Sequence, residues 1–338
     1  EFSFTGSWSE TNLMTATGGP AATPGSPIAA YENTVNSYPE IFYLTPDSSG
    51  GNIVEQMYST FWFLGNITAA ASAQPAAAGS DLVGYMDTVN GSDNVFYQGT
   101  DGYVHLMSWT SSGGWANETS IANTRAPALG SALSGHMTSN SDELFFIGAN
   151  KHVYELWRWL VNFDGWHLTD VSKAIDATPH PRAGSPLAGF YDPSAGVDAV
   201  FYVGIDQHLY EALFVNGAWE AIDVTAQSGA PDIGPNGTLA AHLNPRANSE
   251  EVYYEEDNQT IEQVYTPSTS TPSWSGVNTF TNLAARAKKA VIGSALATDM
   301  DSVFGSPVVD ELYYFAKNGS VYEVDTLLFP EGWMIGIP

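Results

Sequence analysis

The sequence predicts an all-β protein, a six-bladed β-propeller of four-stranded antiparallel blades, with seven blades as the alternative. Three observations carry that prediction. A hairpin, "VFYQGTDGYVHLMSW" at 95–109, returns as "LFFIGANKHVYELWRW" at 144–159 and "VFYVGIDQHLYEALF" at 200–214. Further anchors recur around it in fixed order. The recurrences are evenly spaced, and four short strands per unit at a period of about 50 residues mark a propeller.

The first strand of each unit opens on a Gly-Ser-x-Leu pattern: "GSPIAAY" at 25, "GSDLVGY" at 79, "GSALSGH" at 130, "GSPLAGF" at 184, "NGTLAAH" at 236 and "GSALATD" at 293. Its aliphatic residue falls at Ile28, Leu82, Leu133, Leu187, Leu239 and Leu296, at spacings of 54, 51, 54, 52 and 57. The second strand carries an aromatic pair: Phe42-Tyr43, Phe96-Tyr97, Phe145-Phe146, Phe201-Tyr202, Tyr253-Tyr254 and Tyr313-Tyr314. The third strand completes the hairpin. The fourth opens on a tryptophan: Trp62, Trp115, Trp166, Trp219, Trp274 and Trp333. β-Branched and aromatic residues fill these runs, and Asn-Gly, Asp-Gly, Gly-Gly and Pro-rich stretches separate them.

Length alone suggests two domains, but six near-equal units fit one domain over 1–338, with repeats starting near 25, 79, 130, 184, 236 and 293. Two segments stand outside the repeat. "GSWSETNLM" at 6–14 reads as an extra closing strand, although "GWMIGIP" at 332–338 already supplies the sixth unit's last strand. "NLAARAKKAV" at 282–291 reads as a helical insertion whose Arg286, Lys288 and Lys289 form a solvated face.

Composition narrows the function. With 37 acidic against 10 basic residues the net charge is −27, a field that repels nucleic acid and anionic membranes. No apolar run is long enough for a membrane span. There are no cysteines, so disulfides and thiolate chemistry are excluded. Asn-x-Ser/Thr sequons at Asn66, Asn90, Asn117, Asn236, Asn258 and Asn318 exceed the chance expectation and point to a secreted, extracellular glycoprotein.

Counting twelve residues across the hairpin pairs Asn94 with Leu106, Glu143 with Glu155, Ala199 with Glu211, Glu251 with Gln263 and Glu311 with Glu323. The longer first turn pairs Glu40 with Glu55. An aromatic hairpin, then "VYE" or "IEQ", then a Trp strand resembles the six-bladed fungal fucose-binding lectins of the Aleuria aurantia type, from about residue 25 to the C-terminus. The resemblance implies sugar sites in clefts between blades, each using an Arg of the second strand, a Glu or Gln of the third and aromatic cover. Carried over, the Glu/Gln position falls on Glu55, Glu155, Glu211, Gln263 and Glu323, and the aromatic position on Trp62, Trp115, Trp166, Trp219, Trp274 and Trp333. Leu106 breaks the first set. The Arg position holds Glu40, Asn94, Glu143, Ala199, Glu251 and Glu311, so the family's guanidinium fork is not kept.

Facing glutamates leave three readings open: acids on a solvated surface, acceptors for sugar hydroxyls, or an oxygen-rich calcium site. The tryptophans can pack the blades or cover a sugar. His152 and His208 share one hairpin position with His105 close by, and such repetition reads as structural, because a catalytic histidine has no reason to recur. No catalytic residue is assigned and no cofactor is expected beyond that calcium. The sequence thus predicts a carbohydrate-binding, lectin-like protein with glycans or glycoconjugates as partners. The alternative is a glycan-active enzyme, hydrolase or lyase, with one acidic site on the propeller axis.

Overall fold

The computed structural model describes residues 2–4, 8–10, 12–23, 25–34, 38–46, 51–59, 61–118, 121, 126–128, 130–161, 165–176, 179–245, 247–279, 288–301, 309–317, 321–326 and 334–336. It describes the backbone alone at 2–4, 8–10, 58, 276–279, 299–301, 309–311, 323–326 and 334–336. The chain divides into two compact units, 1–170 and 171–338.

The first unit holds three four-stranded antiparallel blades. Blade 1 runs Ile28–Asn33, Tyr38–Thr45, Asn52–Tyr58 and Trp62–Asn66. Blade 2 runs Leu82–Asp87, Ser92–Gln98, Val104–Thr110 and Gly114–Glu118. Blade 3 runs Leu133–Met137, Ser141–Ile147, Val153–Trp159 and His167–Asp170. The second unit repeats the plan. Its blade 4 is Leu187–Asp192, Val197–Val203, Leu209–Val215 and Ala218–Asp223. Blade 5 is Leu239–Asn244, Ser249–Glu255, Ile261–Pro267 and Gly276–Thr279. Blade 6 is Leu296–Asp301, Val309–Phe315, Val321–Thr326 and Met334–Gly336. In every blade the strands pair in chain order. These are the blades of a six-bladed β-propeller.

The Gly-Ser anchor has a local cause. Gly25, Gly79, Gly130, Gly184 and Gly293 take φ between +67° and +77°, a left-handed turn that glycine adopts without strain. The serine that follows then accepts a backbone N–H near the end of the second strand: Leu44 to Ser26 (3.0 Å), Gln98 to Ser80 (2.8 Å), Ile147 to Ser131 (2.9 Å), Val203 to Ser185 (2.8 Å) and Phe315 to Ser294 (2.9 Å). In five of the six blades a serine hydroxyl thus ties the strand entry to its neighbour, and in blade 5 the Thr238 carbonyl takes the Glu255 N–H instead. All six anchor aliphatics are the first residue of their strand.

Second strands are the interior of the protein. Every residue of Ser92–Gln98, Ser141–Ile147, Val197–Val203 and Ser249–Glu255 is buried. Within each unit the first strands of consecutive blades lie side by side, so the middle strands are covered on both faces. Apolar clusters follow the same division: one joins Phe42 and Leu44 to Val95 and Tyr97, another joins Phe96 to Leu144 and Phe146, and a third joins Phe201 and Val203 to Val252 and Tyr254.

The expected closing strand at 6–14 takes another form. Among the described residues Trp8–Glu10 pairs only with Phe2–Phe4, as a separate two-stranded ribbon, and Leu13–Thr17 is a short helix capped by Asn12. An Asn cap accepting the Thr15 N–H favours helix over strand at this point. The helix expected at 282–291 lies outside the described residues up to 287; Lys288 and Lys289 follow as irregular chain, and Ala290 bridges to Ala316. No helix among the described residues is long and apolar enough to cross a membrane.

Candidate functional site

The register corrects the hairpin count. Phe42 faces Glu55, Phe96 faces Leu106, Phe145 faces Glu155, Phe201 faces Glu211, Tyr253 faces Gln263 and Tyr313 faces Glu323. The glutamates therefore sit opposite aromatic rings, and Glu40, Glu143 and Glu251 face Met57, Trp157 and Tyr265. Each counted pair is a diagonal, two residues apart on one face, because the turn is two residues longer than the count assumed. Nor do these groups lie on a solvated acidic surface. Glu40, Glu143, Glu155, Glu211, Glu251 and Gln263 are buried and Glu55 is half-buried.

Between blades 1 and 2, Trp115 reaches back over blade 1. Its ring stands edge-on to Phe42 (5.9 Å between centroids, 80°) and its Nε1 donates to Glu55 Oε2 at 3.0 Å. Tyr31 stacks on the same Phe42 and its hydroxyl donates to Glu40 at 3.1 Å. Asn33 Nδ2 bridges Glu40 (3.1 Å) and Asp93 (2.8 Å). Burial, the nearby Asp93 and Glu55 push Glu40 up to about 8. Burial likewise takes Glu55 to about 7, against the indole hydrogen bond that lowers it.

The junction between blades 4 and 5 repeats this with different partners. Trp274 is fully buried, stands edge-on to Phe201 (5.6 Å, 89°) and donates from Nε1 to Glu211 Oε2 at 2.8 Å. Glu250 meets it from blade 5. Both Glu250 carboxyl oxygens and Glu211 Oε1 are buried without a hydrogen-bond partner. Burial, then Glu211 and Asp192, push Glu250 up to about 9; burial takes Glu211 to about 7. Two uncompensated buried carboxylates repel, so this pair holds at least one proton near neutrality.

Between blades 2 and 3 the pattern breaks. Trp166 is edge-on to Phe96 (5.7 Å, 88°), but the position holding Glu55 or Glu211 elsewhere is Leu106, and the indole Nε1 is buried without a partner. Arg158 lies over the Trp166 ring at 4.8 Å, with Nε donating to Asp142 (2.8 Å) and Nη1 to Glu118 (3.2 Å). In blade 5, Gln263 Nε2 donates to Glu251 (2.6 Å) and Tyr253 (2.9 Å), a closed network. Trp62 and Trp219 are half-buried, the latter tilted against Phe214. Trp333 and the side chain of Glu323 lie outside the described residues.

The histidines are scaffolding: His105 pairs with Asp101 (3.0 Å), His152 with Asp170 (2.8 Å) and His208 with Asp223 (2.9 Å), and each stacks on a tyrosine. Sequence reasoning missed Asp93, Asp142 and Glu250. They occupy one repeated position, four residues before the second aromatic of the pair, where Asp198 and Asp310 also stand. Their recurrence was visible; their burial was not, since alternation predicts an exposed face there. Among the described residues, neither Glu40–Glu55–Asp93 nor Glu211–Glu250–Asp192 draws three ligand oxygens close enough to share one ion.

No protein-family model matches the sequence, and no curated protein does. Solved structures do. A lectin from Burkholderia pseudomallei is 18% identical with a TM-score of 0.71, over 91% of this chain and 82% of its own. The fucose-specific lectin from Aleuria aurantia is 14% identical with a TM-score of 0.64, over 94% and 97%. A protein from Arthrobotrys oligospora, AofleA, is 15% identical with a TM-score of 0.63, over 93% and 86%. At such identities the likeness is one of fold: the chain is similar to six-bladed propeller lectins.

Proposed function

We propose that the chain is a secreted, lectin-like protein that binds glycans or glycoconjugates in crevices between consecutive blades and does not turn them over. The observation that supports this most is a recurring junction, an indole from one blade edge-on to a phenyl ring of the blade before, at two of the three beside a carboxylate of that blade's third strand. Aromatic walls with a few placed polar groups suit a sugar's apolar face and its hydroxyls. Several such junctions on one chain favour avidity over a single catalytic centre. The likeness to lectin structures agrees with this reading. A glycosidase needs two carboxyls flanking space for a sugar and water; Glu211 and Glu250 are both sealed from solvent.

Printed glycan arrays probed with the labelled protein, followed by a reducing-end and unsaturated-uronate assay on each bound glycan, test the proposal. Saturable binding to a defined set of glycans without product is expected. Product release, or no binding across the array, would contradict it.

A further inference from the structure

We propose that blade 1 holds a further binding site, apart from any glycan crevice, for a phenol ring, either of a small molecule or of a tyrosine side chain. The site stands whether or not the chain binds glycans.

One ring of the repeat is missing from blade 1. Opposite the second aromatic of each pair, the third strand sets His105 against Tyr97, Tyr154 against Phe146, Tyr210 against Tyr202 and Tyr322 against Tyr314. All four pairs are stacked, with centroids 5.4, 5.5, 5.5 and 5.7 Å apart. Blade 5 has Glu262 opposite Tyr254, and blade 1 has Val54 opposite Tyr43. A second departure accompanies the first. Two residues past the second aromatic, blades 2, 3 and 4 carry Gly99, Gly148 and Gly204. A Cβ on these would come within 2.6 Å of His105, 2.7 Å of Tyr154 and 2.7 Å of Tyr210, so glycine makes room for the ring. Blade 1 carries Thr45 instead. Blade 6 combines Ala316 at this position with its stacked Tyr322, so a Cβ and a ring can share the space.

The smaller side chain at Val54 leaves a cavity of about 360 Å³, walled by Val54, Leu64, Pro20, Pro46, Thr45 and Asn66. An apolar cavity of about 150 Å³ is enough to take benzene, so one substituted ring fits here. The repeat also indicates where a hydroxyl would go. In blade 4 the Tyr210 hydroxyl lies 3.2 Å from Oδ2 of Asp223, its partner on the fourth strand. Asn66 takes that place opposite Val54. Its Oδ1 accepts the Ala69 N–H at 3.0 Å as a helix cap, which leaves Nδ2 to donate to a phenol oxygen.

The test titrates the full chain, made in bacteria so that the sequon at Asn66 stays unmodified, with p-cresol, N-acetyl-tyrosinamide and N-acetyl-phenylalaninamide. Nuclear magnetic resonance should show binding with a dissociation constant on the order of 1 mM or tighter. Ring protons of the ligand should give Overhauser contacts to the Val54 and Leu64 methyls. The tyrosine amide should bind about fivefold tighter than its phenylalanine analogue, the effect of one added hydrogen bond. Tighter binding of N-acetyl-tyrosinamide than of p-cresol assigns a tyrosine side chain as the source, and the reverse a free phenol; either order supports the site. The double substitution Thr45→Gly/Val54→Tyr rebuilds the pair of blades 3 and 4. It should abolish binding and raise the thermal midpoint by a few degrees. If that variant does not fold, the Overhauser contacts in the parent decide. A parent that binds none of the three probes, contacts that map elsewhere, or undiminished binding by the folded double variant overturns the site and leaves the lectin reading untouched. Equal affinity for the tyrosine and phenylalanine amides overturns the ligand class. Displacement of p-cresol by an array glycan would give the cavity to the sugar instead.

Discussion

Trp274→Ala is expected to remove most of the protein's stability. The side chain is 1% exposed, stands edge-on to Phe201 and donates to Glu211. Its backbone N–H is held by Gln227 at 2.7 Å. Truncating a buried Trp costs about 3–5 kcal/mol through lost burial and the cavity left behind. The substitution also strips Glu211 of its single hydrogen-bond donor, a further ~1–3 kcal/mol for a buried acceptor. Together these approach the whole stability of a typical domain, ~5–15 kcal/mol. Trp274→Phe fills part of the space and loses the donor, so it should fall between. Thermal unfolding followed by circular dichroism measures both. A midpoint for Trp274→Ala within a degree or two of the parent would show that the indole is not what joins blades 4 and 5.

The second large effect is a stability that declines as pH rises. Glu250 is pushed up to about 9, Glu40 to about 8, and Glu55 and Glu211 to about 7, in every case first by burial. The unfolded chain releases these protons near the ordinary glutamate value of about 4.5. Between that value and the folded values the native state binds more protons than the unfolded state, so unfolding free energy falls with increasing pH. The contribution is complete below about pH 4.5 and is lost as pH passes through 7 to 9. Urea unfolding at pH 5, 6.5 and 8 should therefore show the midpoint falling at each step. Glu250→Gln imitates the protonated carboxyl that faces Glu211 and Asp192. It should flatten the upper part of that decline and stabilise the protein at pH 8 by a few kcal/mol, on the order of what linkage assigns to a shift this large. A parent that gains stability from pH 5 to pH 8, or a Glu250→Gln variant weaker than the parent at pH 8, would refute it.

Much of the architecture could be read from the chain because the repeat is anchored by residues with local jobs. The Gly-Ser step marks strand entries, since the glycine makes the turn and the serine closes it onto the second strand. The aromatic pairs and the tryptophans mark the second and fourth strands because they fill the space between sheets. What was hidden depended on contacts between blades. Alternation within a strand cannot show that Asp93, Asp142 and Glu250 are covered by a neighbour, because that neighbour lies some fifty residues away in sequence. A two-residue error in the length of the turn set Glu40 against Glu55 and Glu143 against Glu155, when a phenylalanine faces each of those two third-strand glutamates. The same error hid the meaning of Leu106. It read as a lapse in a row of glutamates, whereas the junction shows a tryptophan left without its acceptor.

A crystal grown with the leading array glycan places the ligand directly. The account predicts a sugar ring in a crevice between consecutive blades, with its apolar face against the ring of a junction tryptophan. A sugar found away from every junction between blades would contradict it.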